Sequence, residues 1–274
     1  MTQPTPGSKT VLARGLNLHY LEWTGEGLQP MLLLHGLQDC AACWDSFAPR
    51  MTSRYRVLAL DHRGHGDSPW APDGSYGLND YVGELTEFID ALELRNLVLI
   101  GHSAGAKNAF TYASALSHRL AALVIVDMDP DANNPGSATM FQRYRTESDE
   151  WESLDAVVER LRIREPNAPE ETLRHHAAML TREAPGGARV WKRDRALVLS
   201  YERPDAWKAL DRIGCPTLLV RGADSTLLTH DVALRMRERL PACQLVELTN
   251  AGHWCYDENP QEFEKAVLGF LGKG

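Results

Sequence analysis

A chain of 274 residues with an apolar fraction of 43% is long enough for one large α/β domain with an elaboration, or for two small domains. Its net charge of -8 argues against nucleic acid as the main partner and against an anionic membrane surface, while saying little about a neutral substrate. No apolar stretch approaches the roughly 20 residues that span a bilayer, and five scattered cysteines fit reduced thiols better than a disulfide framework.

The amino-terminal stretch from Met1 to Lys9 lacks the apolar core of a secretory signal, so a cytoplasmic location is the default expectation. Thr10 to Trp23 reads as two short strands turning at Arg14-Gly15, with apolar residues at alternate positions. Four nearly continuous apolar runs follow: Met31–Leu34, Val57–Leu60, Leu97–Ile100 and Leu123–Val126. Continuous rather than alternating runs indicate strands buried on both faces, as in a parallel sheet covered by helices. Between them, Leu78 to Leu92 places Tyr81, Leu85, Phe88, Ile89 and Leu92 on one helical face.

Residues 130–211 break this rhythm. They are rich in charge and hold no convincing buried strand. Leu154, Val157, Val158 and Leu161 lie at helical spacing, and Pro169-Glu170-Glu171 supplies a helix start before Leu173, Ala177 and Leu180. The spacing predicts a helical cap inserted after the sixth strand, over the strand ends where open α/β sheets bind ligands. Thr217–Val220 and Leu245–Leu248 then read as two further strands, and Pro260–Leu271 as a closing helix. Residues 1–129 and 212–274 would form the core of an α/β fold with a mostly parallel sheet flanked by helices, and 130–211 the cap.

Ser103 lies in Gly101-His102-Ser103-Ala104-Gly105, after an apolar run and before a helix-compatible stretch. Strand, serine and helix in that order describe a nucleophile elbow, a turn so tight that the residues two before and two after must be small. A serine hydroxyl needs a base, and the base needs an acid to hold its tautomer. His253, in Asn250-Ala251-Gly252-His253-Trp254 after the last strand, is the candidate base. Asp224, after Thr217–Val220, is the candidate acid; Asp129, or less favourably Asp127, rivals it one strand earlier. The N–H groups of Ala104 and Leu37, the latter in His35-Gly36-Leu37-Gln38, are the candidate oxyanion donors. Trp44, Trp70 and Trp254 adjoin these loops and could line an apolar or aromatic pocket.

Other clusters read as structural. Asp61-His62-Arg63-Gly64-His65-Gly66-Asp67-Ser68 lacks the ending of a phosphate-binding loop and matches no zinc signature, so a rigid turn is expected. Cys40-Ala41-Ala42-Cys43 has no second pair to complete a zinc site, and His175-His176 reads as a solvated pair on a cap helix.

Taken together and in this order, His35-Gly36, the Asp61-to-Ser68 turn, the Ser103 elbow, Gly222-Ala223-Asp224 and Gly252-His253 resemble the α/β-hydrolase fold family, in its capped esterase, lactonase and C–C hydrolase branch. The resemblance implies an eight-stranded, mostly parallel sheet, a Ser103-His253-Asp224 triad and no cofactor. Ala104-Gly105 stands where the family often has Met-Gly, leaving more room beside the nucleophile. A serine at the elbow argues against the dehalogenase and epoxide hydrolase relatives, which use aspartate there. The expected activity is hydrolysis of an ester or lactone, with a neutral, largely apolar small molecule as substrate and no metal. C–C hydrolysis of a diketone, cofactor-free perhydrolysis, or a non-enzymatic ligand sensor are the alternatives the fold allows. Oligomeric state is not legible.

Overall fold

In the computed structural model, which describes residues 4–23 and 28–272, the chain opens on an antiparallel pair, β1 (Gly7–Ala13) and β2 (Leu16–Trp23). The first residues of the stretch read for a secretory signal, 1–3, lie outside the described residues. The four apolar runs become β3 (Gln29–Leu34), β4 (Tyr55–Leu60), β5 (Leu97–His102) and β6 (Leu120–Val126). Between them stand α1 (Ala48–Met51), α2 (Leu78–Ala91) and α3 (Ala104–Leu116). After the inserted segment come β10 (Thr217–Gly222), α9 (His230–Arg239), β11 (Cys243–Leu248), α10 (Cys255–Glu258) and α11 (Pro260–Leu271).

The sheet has eight strands in the order β1-β2-β4-β3-β5-β6-β10-β11. Only the β1–β2 and β2–β4 pairings are antiparallel. Because side chains alternate across a strand, each continuous run feeds two cores. Leu32, Leu34, Leu58, Leu60 and Leu99 meet Leu85, Phe88 and Phe110 of α2 and α3 on one face. Met31, Leu33, Val57, Ala59 and Ile100 meet Phe263 and Val267 of α11 on the other. Parallel strands order their carboxyl ends along one edge, and that edge carries the site.

The inserted segment comprises α4 (Pro135–Thr146), β7 (Glu150–Trp151), α5 (Leu154–Arg164), α6 (Glu170–Leu180), β8 (Thr181–Glu183), β9 (Arg189–Trp191), α7 (Arg195–Leu199) and α8 (Trp207–Leu210). It is mostly helical but also holds a three-stranded sheet, β7-β9-β8, whose strands of two or three residues are too short to give a periodic signal. Val157, Val158 and Leu161 pack with Leu173, Ala177, Leu180 and Trp191 into a separate small core. That core rests on Cys40 and Cys43, which act as buried apolar contacts. Ala206, Ala209 and Leu210, at the end of the segment, pack into the main core beside α3. Among the described residues no helix is long and apolar enough to cross a membrane.

Candidate active site

Ser103 sits between β5 and α3 with φ 53° and ψ −124°, strained for a residue bearing a Cβ. The small neighbours are required by contact. A Cβ on Gly101 would lie 2.5 Å from the Gly105 carbonyl oxygen, and one on Gly105 would lie 2.5 Å from that of His35. The Ser103 N–H donates to the Val126 carbonyl at 3.0 Å, tying the elbow to the end of β6. His102 is fully buried, and its Nε2 lies 2.9 Å from the His253 carbonyl oxygen. Burial, reinforced by the His253 ring, pushes the His102 pKa down to about 3, so His102 meets that oxygen as a neutral donor.

His253 is brought to Ser103, its Nε2 2.9 Å from Oγ. Its Nδ1, however, lies 2.8 Å from Oδ1 of Asp127, not of Asp224. Asp127 is the first residue past β6, fully buried, with a positive φ of 46° that turns its side chain back over the strand ends. Its Oδ2 accepts the Gly222 N–H at 2.9 Å and its Oδ1 the Ser225 hydroxyl at 2.6 Å. The loop after β10 thus contributes donors in place of the expected acid. It turns Ala223 and Asp224 outward into solvent, holds the Asp224 N–H on the Ala251 carbonyl at 2.9 Å, and tucks Ser225 beneath. Asp129, the favoured rival, is buried but engaged by Arg203 and by Asn134 Nδ2 at 2.6 Å.

Leu37 and Ala104 line one cavity at the head of α3. Neither N–H has an acceptor among the described residues, and the positive end of the helix macrodipole favours negative charge there. Ser103 and His253 line an adjoining cavity, which shares Leu37 and Tyr201 with the first. Of the three tryptophans, Trp254 lines this second cavity and its indole N–H donates to Asp39 Oδ2 at 3.2 Å. Trp44 lies in the core, stacked on Tyr256 with centroids 4.5 Å apart, because the short turn that carries it folds under the sheet. Trp70 stands half exposed with its indole on the Lys192 carbonyl at 3.3 Å. Met140, Phe141 and Tyr144 of α4 and Tyr201, which no sequence motif marks, supply further wall.

The turn from Asp61 to Ser68 is built around one carboxylate. Asp61 accepts the N–H groups of Ala41 (2.6 Å) and Asp67 (3.0 Å), and His19 Nδ1 lies 2.7 Å away. Two residues that sequence reasoning set aside, His62 and His65, consequently face the cavity beside Leu37 and Ala104. A second surprise is His176. Its neighbour His175 is partly exposed against Asp45 at 2.8 Å, but His176 is buried, 3.6 Å from Glu165 and 3.9 Å from Asp257. The solvated pair expected there is therefore half wrong, since α6 packs onto α5 and turns one imidazole inward. Burial lowers the His176 pKa, but Asp257 and Glu165 outweigh it and hold it up to about 9. Arg164 continues this buried network, with Nη1 2.8 Å from Asp39 and its guanidinium 4.5 Å from the Trp254 ring centroid. His19–Asp61–Asp67 and Glu165–His176–Asp257 have the donor types of metal sites. Ser103 belongs to neither.

The model of the family described as "Alpha/beta hydrolase family" matches residues 31–266. The 2-(acetamidomethylene)succinate hydrolase of Mesorhizobium japonicum is 28% identical over 243 residues, covering 88% of this chain and 87% of the relative. The sn-1-specific diacylglycerol lipase ABHD11 of Mus musculus is 29% identical over 294 residues, covering 97% and 88%. The crystal structure of E-2-(acetamidomethylene)succinate hydrolase superposes with a TM-score of 0.90 at 27% identity, over 97% of this chain and 99% of that one.

Proposed function

The chain belongs to the alpha/beta hydrolase family, and from that premise we propose that it is a serine hydrolase cleaving a carboxylic ester or lactone through an acyl-enzyme. The observation that carries the reading is the unbroken line Asp127–His253–Ser103, at 2.8 and 2.9 Å. Ser103 Oγ attacks the acyl carbon while His253 Nε2 takes its proton. Asp127 holds Nδ1 protonated and stabilises the imidazolium that forms. Charge developing on the carbonyl oxygen falls between the N–H groups of Leu37 and Ala104. His253 returns its proton to the leaving oxygen, and water, activated by the same imidazole, releases the acid. Residues 130–211 act as the cap, with Met140, Phe141 and Tyr144 of α4 covering the nucleophile.

Relatives named as a hydrolase of a substituted succinate and as a diacylglycerol lipase support hydrolysis as the common chemistry. The test is release of p-nitrophenol from the acetate, butyrate and octanoate esters. Turnover that disappears in Ser103→Ala, with the fold retained by circular dichroism, is the expected result. Equal turnover in Ser103→Ala refutes the mechanism.

A further inference from the structure

The cavity beside Leu37 and Ala104 presents more unpaired polar atoms than an apolar acyl chain requires. Lys107 lies one helical turn after Ser103, its N–H bonded to the Ser103 carbonyl at 3.0 Å, and only 2% of the residue is exposed. Its Nζ meets no acceptor among the described residues. The Nε2 atoms of His62 and His65 and the hydroxyl of Tyr81 are likewise buried without partners. All four residues line this one cavity. An ammonium buried without a hydrogen-bond acceptor is unfavourable, which calls for an acceptor supplied from outside the chain.

The carboxylates nearest Lys107 are otherwise occupied or exposed. Asp129 binds Arg203 and Asn134, Asp131 accepts the Trp207 indole N–H at 2.6 Å, and Asp205 faces solvent. Glu202 stands exposed at the rim. The imidazoles add no rival cation: burial, with His35 beside it, pushes His65 down to about 3, and burial holds His62 well below its usual range. His65 Nδ1 lies 2.9 Å from the Arg63 carbonyl, so the neutral ring donates there and leaves the Nε2 lone pair facing the cavity. Tyr76, Leu78, Glu202 and Pro204 are shared with a wider surface opening, which places the cavity between solvent and the nucleophile.

We propose that this cavity seats a carboxylate of the substrate on Lys107 Nζ, so that the compound cleaved at Ser103 is an anionic acyl compound. The inference rests on the serine-hydrolase reading for the cleavage, though not for the binding. It departs from the neutral, apolar substrate expected from the sequence.

Two p-nitrophenyl esters of matched shape test it, the hemiglutarate, with a terminal carboxylate, and the 5-methylhexanoate, with an isopropyl group in its place. Wild type should favour the hemiglutarate in kcat/KM, and Lys107→Met should lower that ratio by about tenfold or more, as expected for a buried charge-assisted contact. Glutarate binding by calorimetry, measured on Ser103→Ala, gives a readout free of turnover. Adding Lys107→Met should weaken it by a similar factor, and Glu202→Gln should tighten it by removing the rim carboxylate. Burial and the Arg203 charge hold the Lys107 pKa down to about 8 against Asp129, Asp205 and Asp131. Glutarate affinity should therefore fall about fivefold between pH 8 and 9 as the ammonium is lost. This measurement also stands if the methionine variant fails to fold. An unchanged ester ratio in folded Lys107→Met, a pH-independent glutarate affinity, or weaker binding in Glu202→Gln each overturns the proposal. Serine-dependent turnover with an indifferent ratio sinks it while leaving the hydrolase reading intact. Lys107-dependent glutarate binding without ester cleavage sinks the hydrolase reading alone.

Discussion

Asp127→Asn is the substitution that separates the acid seen at the site from the one expected by order along the chain. The native carboxylate accepts three hydrogen bonds, from His253 Nδ1, the Gly222 N–H and the Ser225 hydroxyl, at 2.8, 2.9 and 2.6 Å. An asparagine amide cannot satisfy all three. With its NH₂ toward the imidazole, Nδ1 must accept, Nε2 carries the proton, and Ser103 faces a donor where it needs a base. With the oxygen toward the imidazole, the NH₂ meets the Gly222 N–H donor to donor. In either orientation the imidazolium formed during attack loses its counter-charge. Removing the charge while keeping the shape of a triad acid costs about 10⁴ in kcat, or about 5.4 kcal/mol of transition-state stabilisation. Asp224 is exposed and takes no part in the Asp127–His253–Ser103 hydrogen bonds, so Asp224→Asn should stay within about threefold of wild type. Release of p-nitrophenol from the butyrate ester reads both variants, with thermal melts confirming that each is folded. A loss in Asp224→Asn matching that in Asp127→Asn, or Asp127→Asn at more than about a tenth of wild-type rate, would refute this reasoning.

Two further outcomes can be measured. Gly105→Ala would drive a methyl to 2.5 and 2.6 Å from the carbonyl oxygens of His35 and Leu34, both backbone, and should cost about 3 kcal/mol in urea unfolding; a change below about 1 kcal/mol would contradict the contact. His176, raised from 6.5 to about 9 in the fold, contributes stability that is fully present below pH 6.5 and lost as the pH rises through about 9. The upward shift of buried Asp257 acts in the same direction. Urea unfolding at pH 6.5, 8 and 9.5 should show up to ~3 kcal/mol lost in wild type and a flatter profile in His176→Gln. Parallel profiles would sink the assignment.

The sheet was legible because buried parallel strands announce themselves as unbroken apolar runs, and the elbow because its steric demand restricts residues 101–105 to a recognisable pattern. Asp127 was harder to see for a physical reason. Two neighbouring strands, β6 and β10, each end in an aspartate within a polar turn, and which one swings inward depends on a positive φ at residue 127 and on Ser225 reaching under it. Neither leaves a trace in composition. Trp44 was misplaced for a related reason: adjacency in sequence to a catalytic loop does not fix the face of the sheet on which a side chain lands. Lys107 gives the weakest sequence signal of all. A lysine in a helix is ordinarily solvated, and only the closure of α3 beneath the oxyanion loop and Tyr201 makes this one a buried charge.

Asp129, two residues beyond Asp127, receives Asn134 from the outgoing limb of the insertion and Arg203 from the returning limb. One carboxylate thereby buckles both stalks together at the point where they leave the sheet. The insertion cannot hinge open on two independent tethers, since separating the limbs means stripping a buried aspartate of its partners. Opening that keeps the buckle shut must instead come from bending farther out, among α4, α5 and α6, where the small core on Cys40 and Cys43 would slide. Asp127 itself bonds Gly222, Ser225 and His253, all outside the insertion, so a movement that spares the Asp129 buckle would leave those three hydrogen bonds in place.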